Sequence, residues 1–175
     1  GDPKRLRIAE IVNWTGIAVS APRSEFESLL SRDESRNSGV YFLTGTDPTD
    51  GKDVVYVGEA EILQNRLKGH VNRDNWNSVT FVTSKDKNLT KSHIRYLEGK
   101  LIEKANSAKR ARVLNGQSSG SPLPESDQGD MEVFLERIDQ LMSVLGQDFL
   151  VPVWQPTQST QPSRLITTIK GLTVY

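Results

Sequence analysis

The sequence predicts an α+β fold in which a small, mostly antiparallel sheet is covered by helices. Two runs rich in β-branched and aromatic residues, "VYFLT" and "VVYVG", lie on either side of a turn-rich loop. A third run of this kind, "SVTFVTS", follows, and later segments carry apolar residues at helical spacing. A chain of 175 residues is long enough to bury one core around such a sheet.

The first 37 residues are predicted to form an N-terminal extension with one strand and one helix. "GIAVSAP", residues 16–22, is predicted to be a short strand that ends at a proline. "PRSEFESLL", residues 22–30, is predicted to be a short helix because its apolar residues recur at helical spacing. A polar loop, "SRDESRNSG", then leads into the hairpin.

The central domain is predicted to span residues 38–150 and to begin with an antiparallel hairpin. The loop "GTDPTDGKD" is rich in turn residues, which favours a direct connection between the two strands. "AEILQNRLKGHVN" is predicted to be helical, since Leu63 and Leu67 lie one turn apart. "SVTFVTS" is the third strand, and "LTKSHIRYLEGKLIEKANSAKRA" is the longest predicted helix.

A second amphipathic helix, "MEVFLERIDQLMSVLG", is predicted to close the central domain. Asp130 is its predicted N-cap, and Gly146 is predicted to end it. Residues 151–175 follow, as a linker rich in Pro, Gln, Ser and Thr and then the start of a further β unit. Such an ending is expected of a piece cut from a longer protein.

Composition excludes several classes of protein and leaves one hint about a partner. Cysteine is absent, which excludes disulfides and thiolate zinc sites. The sequence has neither a run long enough to span a membrane nor a signal peptide, so a cytoplasmic protein without a membrane partner is expected. Net charge is zero, yet residues 85–112 hold nine Lys or Arg against three acids. Such a segment is typical either of a surface that meets a polyanion or of a solvated helix face.

Glu98 is out of place on the longest predicted helix. With Ile94 set at zero and about 100° per residue, the apolar residues fall between about 300° and 80°. Glu98 falls at about 40°, inside this apolar arc. A carboxylate there must be paired with an arginine, reach solvent at the helix edge, or bind a cation, because its burial is otherwise costly.

Two further groups of residues carry polar chemistry close to apolar positions. Arg66 and His70 lie four residues apart and therefore share one face of a helix, next to the Leu63/Leu67 stripe. Tyr41 and Tyr56 each share a strand face with a glycine two residues away, which predicts a notch beside each phenol. Each group on its own also has a structural explanation: a partly exposed arginine with a surface histidine, and an aromatic pair that stabilises the hairpin.

Taken together, these residues resemble the GIY-YIG nuclease family. Gly39-Val40-Tyr41 and Tyr56-Val57-Gly58 correspond to the two tripeptides of that family, with Val in place of Ile. The other members of the pattern follow in the family's order: Arg66, His70, Glu98 and Asn115. The resemblance covers residues 38–115 and implies a three-stranded antiparallel sheet flanked by helices. It also implies hydrolysis of DNA phosphodiesters with one divalent metal ion.

The resemblance assigns the metal and the phosphate to two residues. Glu98 is expected to hold one Mg²⁺ or Mn²⁺, since magnesium commonly takes one or two carboxylates. Arg66 is expected to stabilise the phosphate through its planar, permanently charged guanidinium. Glu59, directly after the second tripeptide, is interpreted as a solvated acid at the start of a helix. The alternatives are a second metal contact and an acid that weakens DNA binding.

The general base has two candidates by the same resemblance. Tyr41 matches the family's first tyrosine, but a phenol has an ordinary pKa of about 10 and must be depressed by cations or relayed to another base. His70 is the alternative base or proton relay. Tyr56 is expected to orient the water, and Asn115 is carried over as an orienting residue.

The expected partner is DNA, and RNA stays open because nothing in the sequence separates the two. The basic residues Lys85, Lys91, Arg95 and Lys100 are predicted to contact the phosphate backbone without reading sequence. A homodimer would serve paired cuts in a duplex. The competing hypothesis is a non-catalytic nucleic-acid-binding or assembly module that keeps the fold.

Overall fold

A six-stranded mixed sheet forms the centre of the molecule, with the strand order β1-β2-β5-β3-β4-β6. The computed structural model describes residues 4–116 and 120–154, and the backbone of two short strands near the C-terminus. The sheet strands are β1 Arg7–Glu10, β2 Gly16–Pro22, β3 Gly39–Thr46, β4 Asp53–Ala60, β5 Ser78–Ser84 and β6 Arg112–Val113. The two C-terminal strands, β7 Thr168–Ile169 and β8 Leu172–Thr173, pair with each other.

Helices pack on both faces of this sheet. The short helices are α1 Phe26–Leu30 and α2 Leu63–Lys68, with single 3₁₀ turns at Arg23–Glu25 and Asp33–Arg36. The long helices are α3 Lys91–Ala108 and α4 Glu125–Val144. Among the described residues no helix has the length and apolar character that a membrane span needs.

The α+β class predicted from the sequence is confirmed, but the predicted sheet of three strands is too small, because the sheet has six. The three predicted antiparallel strands are β5, β3 and β4, and they lie side by side in the sheet. β2 pairs with the free edge of β5 over seven residue pairs, and β1 pairs with β2. β6 adds a parallel pair at β4. The extra strands satisfy backbone groups that an edge strand would leave open.

The sheet separates two cores because side chains alternate between its faces. Phe42 and Val57 point to the face covered by α3 and α4. Tyr41 and Leu43 point to the opposite face, with α1 and α2. The two tyrosines of the predicted site therefore lie on one face of the sheet, and the helix that carries Glu98 lies on the other.

The predicted start of α4 is wrong, and its predicted end is confirmed. The helix begins at Glu125 after Pro124, so Asp130 lies inside it and is not the N-cap. Glu125 and Asp127 lie in the first turn, where negative charge interacts favourably with the helix dipole. The helix then continues through Gly129. Gly146, at φ +73°, ends the helix with the hydrogen bonds of a Schellman motif. With 20 residues, α4 rather than α3 is the longest helix among the described residues.

The predicted linker lies largely outside the described residues, which stop at 154 before β7. Residues 117–119, in the predicted loop before α4, also lie outside them.

Candidate active site

Four of the predicted site residues meet on the sheet face that α1 and α2 cover. Tyr41 on β3 and Tyr56 on β4 have ring centroids 6.2 Å apart. The His70 ring lies against both, with centroid distances of 5.5 Å to Tyr41 and 5.4 Å to Tyr56. The Tyr41 hydroxyl and His70 Nε2 form a hydrogen bond of 2.8 Å. Arg66 on α2 interacts with both phenols. These four side chains are called the tyrosine cluster below.

Strand register explains how Tyr41 enters this cluster. Tyr41 is paired with Gly58 of β4, and its ring packs directly over that glycine. A Cβ atom on Gly58 would lie 2.2 Å from Tyr41 Cζ, so no other residue fits there without movement. The predicted notch is therefore filled by the tyrosine of the neighbouring strand. The space beside Gly39 is also filled, but by the backbone of β5: a Cβ atom there would lie 2.2 Å from the carbonyl oxygen of Val82.

The other two members of the cluster come from α2 and the turn after it. Leu63 and Leu67 are fully buried and anchor the helix against the sheet. Arg66 stays exposed on the same helix, while His70 lies two residues beyond its end. The His70 side chain is only 3% exposed, which excludes an ordinary surface histidine. Its backbone carbonyl accepts a hydrogen bond of 3.0 Å from Trp76 Nε1, which fixes the turn.

The electrostatics of the cluster keep both Tyr41 and His70 uncharged at neutral pH. Burial and the neighbouring Tyr56 raise the pKa of Tyr41, and Arg66 only partly opposes them. Burial, together with the charges of Arg73 and Arg66, lowers the pKa of His70 to about 4. Within the described part of the chain, His70 Nδ1 has no hydrogen-bond partner. Tyr41 is thus no ready phenolate, and the acceptor that its proton can reach directly is His70 Nε2.

Glu98 reaches a groove that Arg66 also lines. This Glu98 groove has a volume of about 570 Å³, and its polar lining includes Glu59, Asn65, Arg66, Lys91 and Glu98. The Glu98 side chain is half-buried at the edge of the α3 packing face. Burial, and then the charge of Glu59, raise its pKa. No described side chain makes an ion pair or hydrogen bond with its carboxylate, so the alternative of a direct arginine partner is not realised there.

Glu59 is a strand residue, and its interpretation as a solvated acid at a helix start is wrong. It lies within β4, on the α3 face of the sheet. Lys91 at the start of α3 binds both of its carboxylate oxygens, at 2.8 and 2.9 Å. The Glu59 side chain is only 15% exposed, because the strand continues past the second tripeptide and carries it against α3. Glu59 thus places a second carboxylate in the Glu98 groove.

The donors in the Glu98 groove fit a hard divalent cation. Mg²⁺ takes one or two carboxylates and completes its shell with water and phosphate oxygens. Glu98, with a carboxylate that lacks a direct partner, and Glu59 beside it supply that number. Among the described residues, no group of three or more His, Cys, Asp or Glu is placed to hold a metal ion of any kind. Of the two carboxylates, only that of Glu98 lacks a direct partner, since Lys91 binds both oxygens of Glu59.

Asn115 lies at the edge of β4 and binds its backbone. Its Oδ1 accepts a hydrogen bond of 2.9 Å from the Val57 N–H, and its Nδ2 donates one of 2.6 Å to the Val57 carbonyl. The side chain thus holds the middle residue of the second tripeptide. Asn115 fits an orienting role that acts through Tyr56 and Gly58, the neighbours of Val57, rather than through contact with a substrate.

The predicted phosphate-binding residues divide into two pairs. Lys91 lines the Glu98 groove, and Arg95 lies close enough to lower the pKa of Glu98. Lys85 pairs with Glu10 at 3.1 Å, on the extension. Lys100 pairs with Glu103 at 3.6 Å and lies over the Tyr96 ring. Only the first pair belongs to the neighbourhood of the site.

Two arginines outside the predicted set also contribute to the site. Arg73 places its guanidinium carbon 5.6 Å from the Tyr56 ring centroid. Arg23 holds the loop that carries Arg73. The sequence offered little signal for either, since Arg73 lies in a short polar loop and Arg23 is 50 residues away along the chain.

Comparisons with protein families, with curated proteins and with solved structures found no match to this chain. The site is therefore interpreted from its own geometry.

Proposed function

We propose that this protein is a divalent-metal-dependent endonuclease that hydrolyses phosphodiester bonds of DNA. The observation that carries the proposal is that Arg66, which interacts with both phenols of the tyrosine cluster, also lines the groove that contains Glu98. Residues from β3, β4, α2 and α3 supply a proton acceptor, a phosphate-binding cation and a metal-binding carboxylate within one region. These are the three needs of phosphodiester hydrolysis: an activated water, charge stabilisation at phosphorus, and help for the leaving oxygen.

Proton removal from the attacking water is assigned to Tyr41 and His70 acting as a relay. Because the pKa of Tyr41 is raised, its oxygen accepts the water proton only as its own proton passes to His70 Nε2. This requires the His70 tautomer with its proton on Nδ1. A substrate phosphate at Arg66 would offset the positive charges that lower the pKa of His70, and so would make His70 a better acceptor.

The remaining residues bind and orient. Arg66 would hold the scissile phosphate through its guanidinium and stabilise the charge that builds up during attack. Tyr56, which is more exposed than Tyr41, would orient the water. Glu98, with Glu59 beside it, would hold Mg²⁺ or Mn²⁺, which when bound polarises the phosphate and stabilises the leaving oxygen.

The test is nicking of supercoiled plasmid DNA at low salt with Mg²⁺ or Mn²⁺. We expect Glu98→Gln and Arg66→Ala each to lower the nicking rate by about 10²-fold or more, because each removes a group needed for charge stabilisation. Glu103→Gln is the matched control, since it neutralises an exposed acid on the same helix. We expect it to retain the wild-type rate.

Two outcomes would contradict the proposal. A wild-type protein that binds DNA but does not nick it with either metal would favour the non-catalytic binding module. If Glu98→Gln nicked as fast as Glu103→Gln, the metal assignment would be wrong. The same assay with a single-stranded RNA substrate separates DNA from RNA cleavage.

A further inference from the structure

Arg73 flanks the tyrosine cluster on a side that Arg66 does not reach. Its guanidinium lies over the Tyr56 ring, with the carbon 5.6 Å from the ring centroid. It also lines a cavity of about 260 Å³ together with Tyr56, Asn75 and Trp76. This cavity is separate from the Glu98 groove, which Arg66 lines. Tyr56 lines only the Arg73 cavity, but its side chain interacts with both arginines.

The loop that carries Arg73 is held in place by a residue of the N-terminal extension. Arg23 donates hydrogen bonds to the carbonyls of Val71, Arg73 and Trp76, at 2.6, 2.8 and 3.0 Å. Its guanidinium also lies over the Trp76 ring, 4.4 Å from the centroid. Three carbonyls bound by one guanidinium give the loop a defined shape before any ligand arrives, which lowers the entropic cost of binding there.

Arg73 has no acidic partner among the described residues, in contrast to Lys91 in the Glu98 groove. Lys91 pairs with Glu59, and the more distant Lys85 and Lys100 also pair with carboxylates. Within residues 4–116 and 120–154, no carboxylate forms an ion pair with Arg73 or with Arg66. Both arginines are exposed and both lower the pKa of His70, so their charges act on the same cluster. An exposed guanidinium with open donors is well suited to a phosphate.

We propose that Arg73, on its Arg23-held loop, forms a second phosphate site that binds the backbone phosphate next to the one held by Arg66. The proposal rests on the proposed function to the extent that the ligand is a nucleic acid. Tyr56 lies between the two arginines, so a strand bound by both would pass its ring. The site then recognises consecutive phosphates of a polynucleotide and not a lone phosphodiester. Since Arg73 would contact the backbone, it adds affinity without sequence preference.

The test measures binding to a fluorescent duplex in EDTA, without metal, over a series of salt concentrations. The log of the binding constant falls linearly with log salt, by about 0.9 per phosphate contact. We expect Arg73→Ala and Arg73→Gln to reduce the magnitude of this slope by about 0.9 and Arg73→Lys to retain it. Arg137→Ala is the matched control: it removes an equal charge on α4, at the opposite face of the sheet, and we expect the wild-type slope.

The outcomes separate this site from the proposed function. A slope for Arg73→Ala equal to that of Arg137→Ala overturns the second phosphate site, even if the wild type nicks plasmid. If the wild type binds the duplex and Arg73→Ala reduces the salt slope, but the wild type never nicks plasmid, the phosphate site is supported and only the nuclease proposal is overturned. A wild type that does not bind the duplex or its single strands in EDTA overturns the phosphate site directly.

Discussion

Tyr41 and His70 form a hydrogen bond in surroundings that keep both side chains neutral. Tyr41 has no exposed surface, and His70 is 3% exposed. Two arginines near His70 oppose a charge on the imidazole, and burial opposes a charge on either ring. The pair is therefore stable as a neutral phenol and a neutral imidazole.

This neutrality predicts a loss of stability in mild acid. The folded pKa of His70, about 4, lies below its ordinary value of 6.5, so the unfolded chain binds more protons between these values. The stabilising contribution is complete above about pH 6.5 and is lost as pH falls toward 4. We expect the wild type to lose about 1–2 kcal/mol more free energy of unfolding than His70→Gln between pH 7 and pH 5, measured by urea denaturation.

The wild type and His70→Gln carry the same carboxylates, so the difference between their pH dependences of the free energy of unfolding comes from His70. His93→Gln is the control, because it removes the chain's other histidine, on α3 at the opposite face of the sheet. We expect it to keep the wild-type dependence on pH. An equal dependence in the wild type and His70→Gln would show that the pKa of His70 is the same in the folded and unfolded chains, which would contradict a buried neutral imidazole.

At the scale of elements, the edge of β4 determines how the second tripeptide is held. β6 pairs with β4 for only two residues, Arg112 and Val113, and Leu114 adds one hydrogen bond to the Val55 carbonyl. Beyond that point the side chain of Asn115 replaces the missing strand by binding both backbone groups of Val57. A side chain thus completes the ladder where the strand ends, and leaves the rest of the edge open toward the Glu98 groove.

Loss of this side chain is predicted to loosen β4 locally. Asn115→Ala leaves the Val57 N–H and carbonyl without their partners, and we expect a loss of about 1–2 kcal/mol in the free energy of unfolding. The Val57 amide should exchange with solvent faster, as measured by NMR. Asn106→Ala is the control, because that side chain bonds only the Ile102 carbonyl of its own helix. Unchanged exchange at Val57 would mean that the bond to Asn115 does not protect this edge.

The elements that could be predicted from the sequence are those with a strong local pattern. The hairpin, the third strand and the end of α4 at Gly146 were identified from β-branched runs, turn residues and a glycine stop. β1 and β6 were missed because strands of four and two residues are set by pairing with their neighbours rather than by their own composition. The first turn of α4 was also missed, because "ESDQG" has the composition of a loop and no apolar residue at helical spacing.

At the scale of the whole molecule, the candidate site combines groups from both faces of one sheet. Tyr41 and Tyr56 face α2, whereas Glu98 belongs to α3 on the other face. Arg66 links the two sets, since it interacts with both phenols and lines the Glu98 groove. The sequence indicated Glu98 because an acid in an apolar arc breaks a pattern. It could not indicate Arg73 or Arg23, whose positions depend on how the extension and the loop before β5 fold against each other.

The same architecture predicts that the N-terminal extension and the central domain unfold together. α4 packs against β1 and β2 as well as α3, and Phe134 meets Trp14 edge-on with centroids 4.8 Å apart. Phe134→Ala should therefore cost about 3 kcal/mol or more in the free energy of unfolding. Val133→Ala, one residue earlier and 50% exposed, should change it by no more than about 0.5 kcal/mol. Urea unfolding followed by circular dichroism and by tryptophan fluorescence should give coincident transitions in all three proteins. Separate transitions would show that β1, β2 and α4 form a unit of their own.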